Sequence, residues 1–492
     1  MIRVNNIHLS LDYDNKSVRK AVAQQLRIEE KSIKSCKIFR RSVDARKKDN
    51  IYFLTTVDAE LNINEEKVCK KCGNAQIARK YEYNQMKFGN APSPVVVGAG
   101  PAGLFAALIL ARSGANPILI ERGRDVDRRT ADVNRFWTSG QLDTTSNVQF
   151  GEGGAGTFSD GKLNSGTKDI RQRKVLEEFV SHGAPDEILY NAKPHIGTDM
   201  LKGTIKNIRN EIIELGGRVM FETKLVSMAF SDNKLKSITV ETANGDEIIE
   251  TDNVILAIGH SARDTFEMLY DLKLPIEAKP FSVGARIEHL RQKVDKAQYG
   301  RFAGNKKLGS ANYKLSTHLD NGRGVYTFCM CPGGKVVNAS SEENRLCTNG
   351  MSEFARNAEN SNSALLVGIN PDDYESDHPL AGMYLQRKLE SKAFVAGGEN
   401  YNAPIQRVDD FLNNRKSTHL GDVKPSIGPN YEFSNLNEIL PEYVCTSMAQ
   451  GIVKMGRMLH GFDDGDAVLT GVESTRCNTS RKSSAAAVSS TS

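Results

Sequence analysis

Tryptophan occurs once, proline fifteen times and cysteine eight times in 492 residues. So little proline, with no Gly-X-Y period, excludes collagen-like and proline-rich disordered chains. Eight cysteines in a chain this long do not make a disulfide framework. The opening residues Met1-Ile2-Arg3-Val4-Asn5-Asn6 lack the apolar core of a signal peptide. One apolar stretch, Val95 to Ala111, approaches the length of a membrane span, but Gly98, Gly100, Pro101 and Gly103 interrupt it. A buried strand and a buried helix joined by a glycine turn give the same hydropathy. No internal repeat is visible. These absences point to a globular protein, outside the membrane, in a reducing cytoplasm.

What is present is 39% apolar and 25% charged residues, which excludes a wholly disordered chain. The length corresponds to about three domains and needs no disulfide or metal staple to bury a core. The net charge of +5 is uneven. Residues 1–90 hold 19 basic and 11 acidic side chains, and the remainder is slightly acidic. A nucleic-acid role is therefore open for the first segment alone. Its residues read as a small α+β unit: strands near Ile7–Leu11, Ile38–Val43 and Ile51–Val57, and a helix over Ser17–Leu26. A polar stretch ending in Pro92-Ser93-Pro94 reads as a linker.

From Val95 the pattern is strand, glycine turn, helix, strand. Gly98-Ala99-Gly100-Pro101-Ala102-Gly103 fits G-x-G-x-x-G between the strand Val95–Val97 and the helix Leu104–Arg112. Ser113-Gly114 caps that helix and Pro117-Ile118-Leu119-Ile120 returns as a strand. The first glycine permits the tight turn, the second lets backbone approach a pyrophosphate, and the third lets helix and strand pack closely. The helix N-terminus offers N–H groups and a positive dipole end to phosphate. Glu121, at the end of the second strand, can accept from an adenosine ribose and disfavours a 2′-phosphate. The pair Glu121-Arg122 is common in FAD enzymes resembling glutathione reductase. Thr251 to Gly259 resembles the strand that ends in Ala-Thr-Gly in such folds, with Ile258 in place of the threonine and Ala257 and Gly259 near the cofactor. No second glycine fingerprint follows, so a separate NADH domain is not expected.

A second glycine cluster runs from Gln149 to Gly166, six glycines in eighteen residues. Such backbone can approach a flavin without side-chain clash. Gly154, Ala155, Gly156, Thr157, Ser159 and Asp160 are cofactor-binding candidates here, and Leu225 completes the set. With these segments the chain resembles a bacterial family of uncharacterised FAD-dependent dehydrogenases. The likeness spans Val95–Arg122, Ser146–Asn164, Ala257–Asp264, Phe328–Ala339 (FCMCPGGKVVNA), Val423–Ser426 and Gly461–Glu473, with Arg40–Lys48 in the first segment. It implies FAD binding and an oxidoreductase, and leaves the substrate open. Relatives continue past Thr470-Gly471-Val472-Glu473 with a further flavin-contacting segment and a closing helix. Here the chain passes through Ser474 to Ser480 into a Ser/Ala tail, so a C-terminal truncation is expected.

The catalytic candidates are His260, as an acid/base group after the Gly259 turn, Lys162, as a cation for the reduced flavin, and Cys329, paired with Cys331 on one strand face. Each has a plainer reading: a hydrogen-bonded structural histidine, a loop ion pair, and small residues that pack. Cys69 and Cys72 form a lone C-x-x-C, too little for zinc, and no metal is expected. Arg40, Arg41, Arg46, Lys47 and Lys48 form a basic run that is either a solvated face or a nucleic-acid footprint.

The expected architecture is α/β: a Rossmann-like FAD-binding domain with an inserted α+β cap or substrate domain and a small N-terminal α+β domain. Residues 1–90 are the basic unit, 91–280 the FAD-binding domain and 281–432 the cap. Residues 433–477 return to the FAD domain, and 478–492 are a disordered tail. The expected activity is a flavin-mediated oxidoreduction of a small molecule, with NAD(P)H as a transient donor. The alternatives are an FAD-containing nucleic-acid- or partner-binding protein and an inactive truncated copy.

Overall fold

Alternating apolar residues build the first strand, β1 (Ile2–Leu9), whose Ile2, Val4, Ile7 and Leu9 are buried. In the computed structural model the described residues are 1–79, 81–87, 93–163, 169–477 and 486–489. After β1, helix α1 (Asn15–Leu26) starts where the Asp14 carboxylate accepts from the Ser17 N–H at 2.7 Å, an N-cap that satisfies an orphan donor. Strands β2 (Ile33–Asp44) and β3 (Tyr52–Leu61), helix α2 (Glu65–Lys71) and strand β4 (Ala75–Ile77) complete a sheet ordered β2-β3-β1-β4.

This unit is docked rather than dangling. The Arg41 N–H donates to the Tyr190 carbonyl, the Ala192 N–H to the Arg41 carbonyl, and the Arg41 guanidinium to Asn191 Oδ1 at 2.8 Å. Its apolar core is continuous with that of residues 281–472. Residues 88–92, in the expected linker, lie outside the described set, while Gln85 just before them donates to Ser113 Oγ at 2.7 Å.

The second region opens with β5 (Val95–Val97), α3 (Pro101–Arg112) and β6 (Ile118–Ile120). Helices α4 (Val126–Ser139), α5 (Arg171–Ser181) and α6 (Thr198–Glu214) lead to β7 (Arg218–Met220). An antiparallel meander follows, β8 (Lys224–Ser231), β9 (Lys234–Thr242) and β10 (Gly245–Glu250), then β11 (Asn253–Leu256) and α7 (Arg263–Asp271). Strands β11, β5, β6 and β7 pair in parallel in that order. Helices α3 and α6 cover one face, and the meander covers the other. This is a Rossmann-like layered sheet, and Val95, Val96, Leu119 and Ile120 are fully buried within it.

The third region is built on β12 (Phe281–Leu290). Around it come α8 (Arg291–Tyr299), β13 (Ser316–His318), β14 (Gly324–Cys331), the hairpin β15 (Lys335–Asn338) and β16 (Thr348–Met351), and β17 (Asn360–Ile369). Then follow α9 (Ala381–Ala396), β18 (Ala403–Arg407), α10 (Val408–Leu412), β19 (Tyr431–Phe433), α11 (Glu442–Gly456) and β20 (Val468–Cys477). The sheet order is β13-β14-β17-β12-β20-β18-β19. Two expectations change here. Residues 433–477 do not return to the parallel sheet, because β20 pairs with β12 and β18 in the seven-stranded one. The strand that does return is β21 (Ala486–Ser489), antiparallel to β11, inside the tail expected to be disordered. No described helix is long and apolar enough to cross a membrane.

Candidate functional site

The glycine turn is shaped by what a side chain would strike. A Cβ on Gly98, whose φ is +101°, would lie 2.5 Å from the Ala257 carbonyl oxygen. One on Gly103 would lie 1.8 Å from the Gly98 carbonyl oxygen, so α3 packs against the turn with no room for a methyl group. Gly100 is the N-cap of α3 and Pro101 its first residue, a position where the missing N–H costs nothing. As first-turn residues of the helix, Ala102 and Gly103 carry N–H groups without helical acceptors.

Glu121 organises this mouth from below. It is buried, and its carboxylate accepts from the backbone N–H groups of Ala99 (2.8 Å), Gly123 (3.0 Å) and Gly151 (3.0 Å). One side chain thus ties the first glycine cluster to the second. Arg129, fully buried, does the same for the second loop, donating to the carbonyls of Asn147, Val148, Gly151 and Glu152. The Arg122 guanidinium sits over the Phe150 ring, 4.4 Å from its centroid, and pairs with Asp264 and donates to Thr265 Oγ1. Burial pushes the Asp264 carboxyl up, but Arg122 and Lys224 outweigh it and hold it well below the usual carboxylate range.

These elements surround a cavity of about 370 Å³. Of the cofactor-binding candidates, Gly98, Gly100, Pro101, Ala102, Glu121, Arg122, Gly154, Ala155, Gly156, Leu225, Ala257 and Gly259 line it. Ala99 and Gly103 stand behind its wall as the frame of the turn. Thr157 is buried, and its hydroxyl donates to the Glu152 carbonyl. Ser159 lines a separate cavity, and Asp160 is buried in an ion cluster beyond it. Gln149, Phe150, Thr223, Lys224, Ser261 and Thr265 also line the dinucleotide cavity. Sequence reasoning missed them because their periodicity carries no ligand signal; Phe150 and Gln149 sat inside the quoted glycine segment without being singled out.

The three catalytic candidates are not brought together. His260 lines the dinucleotide cavity with Glu121, Arg122 and Leu225, and its Nε2 is 3.2 Å from Ser261 Oγ. Lys162 and Cys331 meet elsewhere, Nζ to Sγ at 3.7 Å. Cys329 and Cys331 do not share a strand face in register. A bulge falls between Phe328 and Cys331, and Cys329 takes a φ of +47°, a costly conformation for a residue with a Cβ. The Cys331 thiol is buried and donates to the Cys329 carbonyl at 3.2 Å. Burial pushes its pKa up, against the pull of Lys162 and Arg286.

Around Cys331 lies a buried polar seam that the sequence did not announce. The guanidinium of Arg286, fully buried on β12, contacts Glu473 Oε2 at 3.0 Å, Asn362 Oδ1 at 2.6 Å, the Cys329 carbonyl at 3.0 Å and Cys331 Sγ at 3.7 Å. Asp160, also buried, accepts from Lys162 at 3.1 Å, from the Ser352 hydroxyl and from both Arg356 Nε and its terminal amine. His195 bridges the Lys162 backbone and stacks on Phe354 at 5.3 Å. Burial and Arg356 hold its pKa below the usual histidine value.

In the first segment, Arg41 is taken up by Asn191 and Tyr13 and Arg46 by Asp44, which leaves Arg40, Lys47 and Lys48 of the basic run. Cys69 and Cys72 pack against the core there, and Cys72 Sγ lies 3.4 Å from the Gln25 carbonyl. Among the described residues no three His, Cys, Asp or Glu groups gather as a metal site.

The geometry accepts FAD on its own terms. The Gly98 and Gly103 positions exclude any side chain, and the Gly100 and Gly154 α-carbons lie close enough that a Cβ on Gly154 would sit 3.0 Å from Gly100 Cα. Bare backbone and a helix N-terminus thus meet at one opening. Matches to known protein families agree. Residues 93–132 match the FAD binding domain family, residues 280–476 the family described as FAD-dependent protein, C-terminal domain-like, and residues 1–60 a domain of unknown function. Distant likenesses among solved structures include a flavoprotein/dehydrogenase from Cytophaga hutchinsonii (14% identity, TM-score 0.29, 58% of each chain). The flavin-dependent brominase Bmp2 is another (13% identity, TM-score 0.31, 60% of this chain and 61% of that one). A protein of Clostridium beijerinckii, titled uncharacterized, is 47% identical over 478 residues, which cover 96% of this chain and 89% of the relative. The chain therefore belongs, with that clostridial protein, to a family of FAD-dependent proteins.

Proposed function

We propose that the protein is an FAD-dependent oxidoreductase of the dehydrogenase kind, acting on a small molecule, with NAD(P)H as a transient electron donor. The observation that carries this reading is the single cavity in which the glycine turn, the α3 N-terminus, Glu121 and the second glycine loop converge. When bound, FAD supplies two-electron transfer chemistry that no protein side chain offers. The chain's own residues do the holding. Ala102, which lines the cavity at the first turn of α3, would offer its N–H to a pyrophosphate. Glu121 stiffens the turn through Ala99 and keeps one anionic wall toward the ribose. Leu225 and Arg122 close the adenosine half.

In this reading His260 belongs to the adenosine half and acts as a wall of the cofactor site, while Lys162 stands outside that cavity, beside Asp160 and Cys331. A reducing cytoplasm suits the described cysteines, which are all free thiols. The test is to purify the protein, record its visible spectrum and titrate it anaerobically with NADH, NADPH and a panel of oxidisable metabolites. Stoichiometric flavin that bleaches with one of them is the expected result. Protein without flavin, or flavin that no donor reduces, would sink the proposal.

A further inference from the structure

The dinucleotide cavity has a neighbour. A second cavity of about 520 Å³ lies between α3, α5 and α6, within the roughly 300–1,000 Å³ of small-molecule sites. Its walls include Leu104, Phe105, Leu176, Phe179, Ile205 and Ile208. Phe105 and Phe179 meet edge to face at 5.2 Å, so the apolar wall is itself packed rather than loose. Pro101, Ala102 and Gly156 line both cavities, so an occupant of the second would rest against the backbone that frames the first.

The charge at one end of this slot is specific. Among the described residues that line it, Lys162 is the single charged side chain. Its ammonium reaches Asp160 at 3.1 Å, but Asp160 is also held by Arg356 through two nitrogens. One carboxylate is thus shared by two cations. The adjacent Arg286–Glu473 pair is self-compensating. The cluster keeps a net positive charge of about one on partly buried groups, with Lys162 22% exposed, where an unbalanced charge still carries a desolvation cost. A single anionic group entering beside Lys162 would balance it.

We propose that this slot binds an apolar monoanion, a carboxylic acid with an aliphatic or aromatic body, with its carboxylate at Lys162 and its body between α3, α5 and α6. The inference rests on the FAD reading of the neighbouring cavity, because the shared wall is what would bring the ligand to the cofactor. The apolar walls supply the affinity and Lys162 the selection for charge. An alcohol of the same length would bury the same area and leave the positive charge unbalanced.

The experiment uses the FAD-loaded full chain and two probes, dodecanoate and dodecanol, below their critical micelle concentrations. Binding is read by calorimetry and by the rise in melting temperature, and flavin content by absorbance in the same samples. Dodecanoate is expected to bind on the order of tenfold tighter than dodecanol, the discrimination of one buried hydrogen bond to a charged group. Lys162→Met should abolish that preference and leave dodecanol binding in place. Ile205→Trp, which fills the slot from α6, should weaken both. Equal binding of acid and alcohol, a preference that survives in Lys162→Met, or no binding of either to loaded protein would overturn the proposal. So would acid binding confined to protein stripped of flavin, which would make the slot the cofactor's own seat. Loss of flavin from the wild-type preparation is a separate outcome and counts against the oxidoreductase reading.

Discussion

Two buried sheets stand side by side in this molecule and are built on opposite rules. The parallel sheet is wholly apolar in its central strands β5 and β6, and it acts through bare backbone at its carboxyl ends. The seven-stranded sheet is buried just as deeply at its centre, yet β12 carries Arg286, Glu288 and His289 and β17 carries Asn360, Ser361, Asn362 and Ser363 inward. Backbone presented by an apolar scaffold suits a ligand whose shape is fixed, such as a pyrophosphate. A scaffold threaded with charge stores electrostatic energy in side chains, and it is vulnerable to any change that leaves one of them alone.

The sharpest way to break the first rule is to add one methyl group. Gly103→Ala puts a Cβ where the Gly98 carbonyl oxygen stands, and neither partner is a flexible side chain. The expected cost is above about 4 kcal/mol, beyond most single substitutions. It is read as loss of flavin from the purified protein and a large fall in melting temperature. Gly203→Ala on the exposed face of α6, away from both cavities, meets nothing within 4 Å and is the control that should fold and load.

The second rule is tested by taking one charge from the seam. Glu473→Leu leaves Arg286 fully buried without its carboxylate, at a cost of about 3–5 kcal/mol. The double change Arg286→Met with Glu473→Leu should recover most of that, because a neutral pair of similar volume fits an apolar sheet. Denaturant unfolding of the two singles and the double closes the cycle. If the double is no better than Glu473→Leu, the seam's charges are not coupled.

The first rule was legible in the sequence and the second was not, for a physical reason. Val95 to Glu121 is a local motif: each glycine acts on backbone a few residues away, so spacing along the chain is spacing in space. The seam joins Asp160, Arg286, Cys331, Arg356 and Glu473, which meet only after the sheet has formed. Arg286 sits in a strand buried on both faces, and no periodicity marks it as special. The same gap misplaced residues 433–477. Their hydropathy suits either sheet, and the choice is made by pairing between β20 and β12. Cys329 and Cys331 were read by strand alternation, and the bulge at Cys329 removed that regularity. The cofactor loop past Gly161 was legible as glycine-rich, but residues 164–168 lie outside the described set.

Glu121 lies on the border of the comparison, a charged side chain that serves the backbone rule. Glu121→Gln keeps the shape and one oxygen but removes the anionic charge that three N–H groups share. A loss of about 1–3 kcal/mol in flavin affinity is expected, with the fold retained. Equilibrium dialysis of FAD against mutant and wild type measures it. An unchanged dissociation constant would mean that the turn holds its shape without the carboxylate.

The smallest effect separates the two sheets by pH. Burial holds His289 on β12 below the usual histidine pKa, and burial together with Arg356 does the same for His195 beside the seam. A base whose folded pKa is depressed binds fewer protons folded than unfolded. The stability it contributes is present above about 6.5, the unfolded value, and is lost as the pH falls through the folded one. Each histidine can therefore cost up to about 1.4 kcal/mol per pH unit below that point. His289→Gln should flatten its share of this slope, read as melting temperature between pH 7 and pH 5. The flavin spectrum, which reports on the apolar sheet, should change less over the same range, since Arg122 and Lys224 keep Asp264 charged throughout it. A spectrum that moves together with the melting temperature would show that the two sheets unfold as one unit, and that the contrast between them is one of construction and not of stability.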